Sequence, residues 1–430
     1  MRNIMLSFEL ATRSLFNRSA LLLVIKIAIA IMSFAFHVLL ARKLGAEQFG
    51  LFSLAMTLLL FTTIFAKQGI ESALVRFLSP MTDGHKMSGL YCYVLLFSLG
   101  NIIIVGAVIS IFSTFIAVDL LTTSELITLF PLIILLTALQ VLIALNSSVL
   151  RGRQYPIASM LLTGFFTFTF GLLLLFIMSI SSALDALYLI AYATTLACGV
   201  SFWLAHRRMT LFKLPLPAPK SCAVFQVYHV SRILFVSALA TLVTQQIGIF
   251  VIAKFATLED VSIYNIALKI SLLMSYPLLV INAITAPKYA QMHEQKNLKG
   301  IHKLFTSTRN YLIAIATVLA LLAFVCAETI VALFGPEYGG GEYLLKILII
   351  GQWFNLSSGS VISILIMTGQ ERIHRRNTIL IALFSVLATF VAVSEYGVVG
   401  AAWVTSITLL MLNLISWYYV KKTLGTHLTG

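Results

Sequence analysis

Two lysines stand inside long apolar stretches, Lys26 in the run 20–41 and Lys269 in the run 261–284. An amine in such a place costs roughly 2.5–3.5 kcal/mol on membrane-insertion scales, so it calls for a function. A compact ammonium is a point charge suited to phosphate; the plainer alternative is that its stem snorkels to the nearer interface. At about 1.5 Å of rise per residue, each amine lies on the order of 10 Å inside its helix, the two from opposite sides. Amides occur in the same kind of stretch: Gln140, Asn146, Gln245, Gln246, Asn282, Gln352 and Asn355. Such side chains either bind a ligand's hydroxyl groups or tie helices together. Pro277, eight residues after Lys269, frees a backbone carbonyl and permits a bend.

Other chemistries lack their residues. Cys92, Cys198, Cys222 and Cys326 have neither metal-site nor redox spacing. No GxxxxGK[ST] phosphate loop is present. Asp185, Glu328 and Glu395 fall near the ends of apolar runs rather than in their middles. No cofactor is expected.

The elements that hold these residues are set by composition. Of 430 residues, 60% are hydrophobic and 10% charged, against about 25% charged in a soluble protein. That excludes a soluble enzyme and predicts an all-α polytopic membrane protein, since a spanning helix needs about 20 apolar residues. Runs of that kind fall at 20–41, 49–66, 90–112, 126–145, 157–178, 186–205, 233–253, 261–284, 311–327, 343–368, 378–393 and 399–420. They are continuous rather than alternating, which predicts helices rather than barrel strands.

The net charge of +14 would suggest nucleic acid on a soluble chain; here it reads as orientation. With the N-terminus in the cytoplasm, 23 of the 29 lysines and arginines fall in cytoplasmic segments and 4 outside. This is the positive-inside pattern, and it predicts twelve helices with both termini cytoplasmic. Arg2, Arg13 and Arg18 precede the first run with no small-residue cleavage site after it, which predicts a retained first helix.

The longest polar stretch carries Leu214-Pro-Leu-Pro-Ala-Pro219, a composition suited to an extended linker. It divides the chain into a six-helix lobe at 1–206, a cytoplasmic linker at 207–232 and a second lobe at 233–430. The lobes read as copies. At an offset of 212 residues, Ala41, Arg42, Glu47, Phe52, Ala55 and Arg76 meet Ala253, Lys254, Glu259, Tyr264, Ala267 and Lys288. Six helices is an even number, so the copies share one orientation, the parallel-repeat plan of many transporters.

The same residues carry a family resemblance. Leu39-Leu-Ala-Arg-Lys-Leu-Gly-Ala-Glu-Gln-Phe-Gly-Leu-Phe-Ser-Leu54 and Gly69-Ile-Glu-Ser-Ala-Leu-Val-Arg-Phe-Leu-Ser79 resemble the opening of Wzx-type polysaccharide flippases. Glu259-Asp-Val-Ser-Ile-Tyr-Asn265, Pro287 and Tyr396-Gly-Val-Val-Gly-Ala-Ala402 are similar to the same branch. That branch shares its superfamily with MATE drug exporters and lipid II flippases. The resemblance implies a MATE-like fold in the bacterial inner membrane, moving an undecaprenyl-pyrophosphate-linked oligosaccharide from the cytoplasmic to the periplasmic leaflet. It also implies a polysaccharide polymerase and a chain-length regulator as partners, and no nucleic acid. On that reading Lys26, Lys269, Arg76 and Arg42 would meet the pyrophosphate, and the amides would meet sugar hydroxyls.

Two rivals remain open on the residues. A multidrug exporter of the same plan would want buried carboxylates for cationic drugs. A polymerase or ligase would want a large external loop with convergent catalytic groups, whereas the external loops here are short.

Overall fold

The computed structural model describes residues 2–79, 84–208 and 222–424, which form helices and turns with no strand among them. The proline stretch at 214–219 lies outside the described residues. Helices follow from the apolar runs because every backbone donor in hydrocarbon must bond within its own segment.

Eight helices among the described residues are long and apolar enough to cross a bilayer, or ten when two bent pairs each count as one span. Two of the eight, Val24–Lys67 and Glu371–Lys422, are 44 and 52 residues long, enough for two crossings each at about 20 residues per span. Each is divided by a glycine with non-helical backbone, Gly45 (φ 73°, ψ 172°) and Gly397 (φ 59°, ψ −145°). Positive φ of this kind suits glycine because a Cβ would clash with the backbone. Divided there, the apolar segments match the expected runs in number.

Helices are labelled in chain order: α1 (Arg2–Lys67), α2 (Ile70–Leu78), α3 (Gly84–Thr114), α4 (Phe130–Gly152), α5 (Pro156–Met160), α6 (Phe166–Ile177), α7 (Ala183–Arg208) and α8 (Cys222–Phe255). Then follow α9 (Leu258–Leu273), α10 (Tyr276–Glu294), α11 (Leu298–Val325), α12 (Ala327–Ala332), α13 (Gly341–Ser357), α14 (Val361–Met367) and α15 (Glu371–Leu424).

The two bent pairs occupy the runs expected at 261–284, where Pro277 was expected to permit a bend, and at 343–368, where no bend was expected. The α9–α10 pair bends by 41° at Met274 and Ser275, whose N–H groups bond Ser271 and Leu272 three residues back. Pro277 sits in the first turn after this break, at the start of α10, rather than interrupting a helix. There its missing N–H costs nothing. The α13–α14 pair bends by 44° across Ser358, Gly359 and Ser360, with Gly359 at φ 74°. The helix expected at 311–327 begins earlier, at Leu298, where the Asn297 side chain accepts from the Gly300 N–H at 2.8 Å.

The chain forms two compact units. The first comprises Met1–Leu40, Leu58–Thr114 and Glu125–Val236. Its core joins α2, α3, α4 and α8 through Leu74, Leu78, Tyr91, Val149 and Val227. The second comprises Ala41–Thr57, Phe115–Ser124 and Ser237–Gly430. It has apolar clusters around Tyr289, Phe305 and Ile364 and around Leu312, Ala316 and Leu356.

Candidate functional site

Lys269 is held by α9, whose start is fixed by a reciprocal cap. The Thr257 hydroxyl accepts from the Asp260 N–H at 3.1 Å, and the Asp260 carboxylate accepts from the Thr257 N–H at 3.2 Å. Neighbours Ala267, Leu268, Ile270 and Ser271 are buried, while Lys269 is partly buried. Its amine makes no hydrogen bond or ion pair with any described residue. By helical rise it stands roughly 16 Å from the start of α9 and about 6 Å before the break. One turn earlier, the buried Asn265 Oδ1 has no partner, and neither does Asn282 Oδ1 in α10. The sequence reading had not singled out Asn265.

Beyond the break a chain of amides and hydroxyls joins the two bent pairs. The Ser275 hydroxyl donates to Gln352 Oε1 at 2.7 Å, and Asn355 Nδ2 donates to the same oxygen at 3.2 Å. Asn413 Nδ2 donates to Asn355 Oδ1 at 3.0 Å, and the Ser358 hydroxyl donates to Asn413 Oδ1 at 2.8 Å. Gln352 and Asn355 were expected in a site; Ser275, Ser358 and Asn413 were not. An amide within the apolar run 399–420 was the available signal for Asn413. The amides meet because α13 and α15 approach closely: a Cβ on Gly351 would lie 2.6 Å from the Ser406 hydroxyl. Small residues permit such contact between membrane helices. Asn413→Leu is expected to cost about 1–3 kcal/mol, because it strands Asn355 Oδ1 and leaves the Ser358 hydroxyl only the Asn355 carbonyl. Thermal unfolding of the purified protein in detergent checks this.

The remaining candidates are distributed differently. In the first unit, Lys26 is exposed and bonds no described residue. Asn146 has no exposed surface: Tyr91 donates to its Oδ1 at 2.5 Å, and its Nδ2 donates to Ser201 at 2.8 Å. Gln140 accepts from Thr63 at 3.5 Å. Arg76 is exposed in the last turn of α2. In the second unit, Gln245 is exposed and Gln246 partly buried, neither bonded to a described residue. Arg42 donates from Nε to the Leu333 carbonyl at 2.6 Å.

This arrangement offers an unpartnered amine and unsatisfied amide oxygens inside a bent span. A protonated amine there can bind an anion, and the amide oxygens can accept from hydroxyl-bearing substituents.

A family model described as polysaccharide biosynthesis protein matches residues 15–293. The chain is 26% identical over 143 residues to the capsular polysaccharide biosynthesis protein CapF of Staphylococcus aureus. That match covers 33% of this chain and 36% of CapF, so it spans about a third of that relative's length. Among solved structures, the lipid II flippase MurJ in an inward closed conformation is similar with a TM-score of 0.75 and 14% identity, covering 94% of this chain and 87% of MurJ. An inward-facing multidrug resistance MATE family transporter of the MOP superfamily follows with a TM-score of 0.72 and 15% identity, covering 94% and 98%. The all-α membrane fold is thus the one MurJ and the MATE transporters share.

Proposed function

Since the chain belongs to the polysaccharide biosynthesis protein family, matched over residues 15–293, we propose that it is a flippase for a lipid-linked oligosaccharide. The cargo is a repeat unit joined through pyrophosphate to undecaprenol, and it moves from the cytoplasmic to the periplasmic leaflet by alternating access. The positive-inside distribution supports both termini in the cytoplasm. The pairing of 1–206 with 233–430 as two copies supports a transporter of the parallel-repeat plan.

The observation that carries this reading is Lys269, an amine with no bonded partner in a bent apolar span. An unpartnered amide oxygen lies one turn earlier at Asn265 and another beyond the bend at Asn282. A pyrophosphate supplies the missing countercharge, and sugar hydroxyls supply donors to Asn265 and Asn282. Arg76 receives the headgroup at the cytoplasmic side, and Lys26 and Arg42 serve it along the path. The multidrug reading is disfavoured because a cationic drug would meet an amine here. A polymerase or ligase reading lacks catalytic groups in the site.

Purified protein reconstituted into vesicles with undecaprenyl-pyrophosphate-linked oligosaccharide tests this directly. Sugars on the inner leaflet are expected to become accessible to an added, membrane-impermeant glycosidase only when the protein is present. Folded protein that leaves them inaccessible, yet exchanges an organic cation for protons, would assign it to drug export instead.

A further inference from the structure

The second unit contains one short connection built from two distant turns. Residues 41–46 and 333–338 are joined by three hydrogen bonds. Arg42 Nε donates to the Leu333 carbonyl at 2.6 Å, and the Tyr338 hydroxyl donates to the Ala41 carbonyl at 3.0 Å. The Ala46 N–H donates to Glu337 Oε2 at 2.8 Å. Ala46 opens the helical segment that follows Gly45, so the Glu337 carboxylate caps a helix start from nearly 300 residues away, where negative charge is favoured. Gly45 makes room for it: a Cβ there would stand 2.9 Å from Glu337 Oε2. Below, the Tyr338 ring meets Phe49 edge-on with centroids 6.2 Å apart. Burial and then the adjacent Glu337 carboxylate raise the Tyr338 phenol above its ordinary pKa, so it stays a donor.

Three features distinguish this from ordinary packing. Segment 41–57 is continuous at both ends with the first unit yet is built into the second. The turn carrying Glu337 is bracketed by Gly335 at φ 136° and Gly340 at φ 88°, backbone that can swing without side-chain cost. A cavity of about 610 Å³ adjoins the bond and is lined by Arg42, Lys43 and Glu337. The carboxylate therefore has cations within the same cavity to face once it leaves Ala46.

We propose that Glu337 is a positioning residue of the transport cycle, a latch whose bond to Ala46 holds this end of the path shut and must release for it to open. The latch requires only a carrier that alternates, whatever it carries. It sets the balance between two states, since an interaction present in one state alone biases the equilibrium by its own free energy.

The test reads opening directly. In a Cys92→Ser, Cys222→Ser, Cys326→Ser background, Ala41→Cys places a thiol where Ala41 has no exposed surface, and Cys198, 5% exposed, remains as a reporter of unfolding. A membrane-impermeant maleimide is added to right-side-out and inverted vesicles. Adding Glu337→Ala is expected to speed labelling of position 41 about tenfold or more, the scale of a lost charge-assisted bond. Cys198 stays unlabelled, and Glu337→Gln, which keeps the acceptor oxygen, stays within about threefold of the parent. An unchanged rate at position 41 overturns the latch, and so does an equal rise at Cys198, which would mean unfolding. Failure of the oligosaccharide assay leaves these labelling rates intact, so the two readings are separable.

Discussion

Lys269→Ala is expected to lower oligosaccharide flipping by about 10- to 150-fold, the span of a lost charge-assisted contact of about 1.5–3 kcal/mol. The same substitution is expected to leave the protein as stable as before, or more so. The amine bonds no described residue, so its removal strands no partner. It also removes a charge that costs roughly 2.5–3.5 kcal/mol within a membrane helix. A structural lysine would show the opposite pattern, with stability falling and activity following it. Lys269→Met keeps the stem without the charge and should behave like alanine. Flipping in vesicles, cell-surface polysaccharide and thermal unfolding, measured together, separate the two patterns. Full complementation of a flippase-null strain by Lys269→Ala would remove Lys269 from the mechanism.

Gly50→Ala is expected to destabilise the second unit by about 3 kcal/mol or more, at the upper end of overpacking effects. A Cβ at Gly50 would lie 1.8 Å from the Leu258 carbonyl oxygen and 2.6 Å from its carbon. Neither the new methyl nor the backbone opposite has a rotamer to change, so one helix must move. Gly199 supplies the contrast: nothing lies within 4 Å of its would-be Cβ, and alanine there should be neutral or stabilising by up to about 1 kcal/mol. Yield and melting temperature of the two variants decide it. Equal behaviour would refute the close approach of Gly50 to α9.

The helices were legible because hydropathy and turn charges act locally and each reports on its own stretch of chain. What escaped the reading depends on partners elsewhere. The break at 358–360 disappears in an apolar average over 343–368, although Ser-Gly-Ser offered a local hint. Pro277 drew attention to the right helix, yet the bend precedes it at Met274 and Ser275. Gln352 and Asn355 were visible as polar groups in an apolar run, but their use was not. Asn413 reaches them only because Gly351 admits Ser406. Asn146 looked equivalent to them in sequence and is instead enclosed by Tyr91 and Ser201. Glu337 looked like one more loop charge, since a cap supplied by a residue 291 positions away leaves no mark in either segment.

That separation bears on how the protein is made. A ribosome adding about 5–20 residues per second takes roughly 15–60 s to pass from Ala46 to Glu337. Throughout that interval the turn at 41–46 exists without the carboxylate that caps it, the ring of Tyr338 or the carbonyl of Leu333. Water and lipid headgroups are its solvent until those residues emerge. The turn is therefore completed only when a segment made 291 residues later arrives, and quality control in the membrane meets the nascent chain with that turn still unfinished.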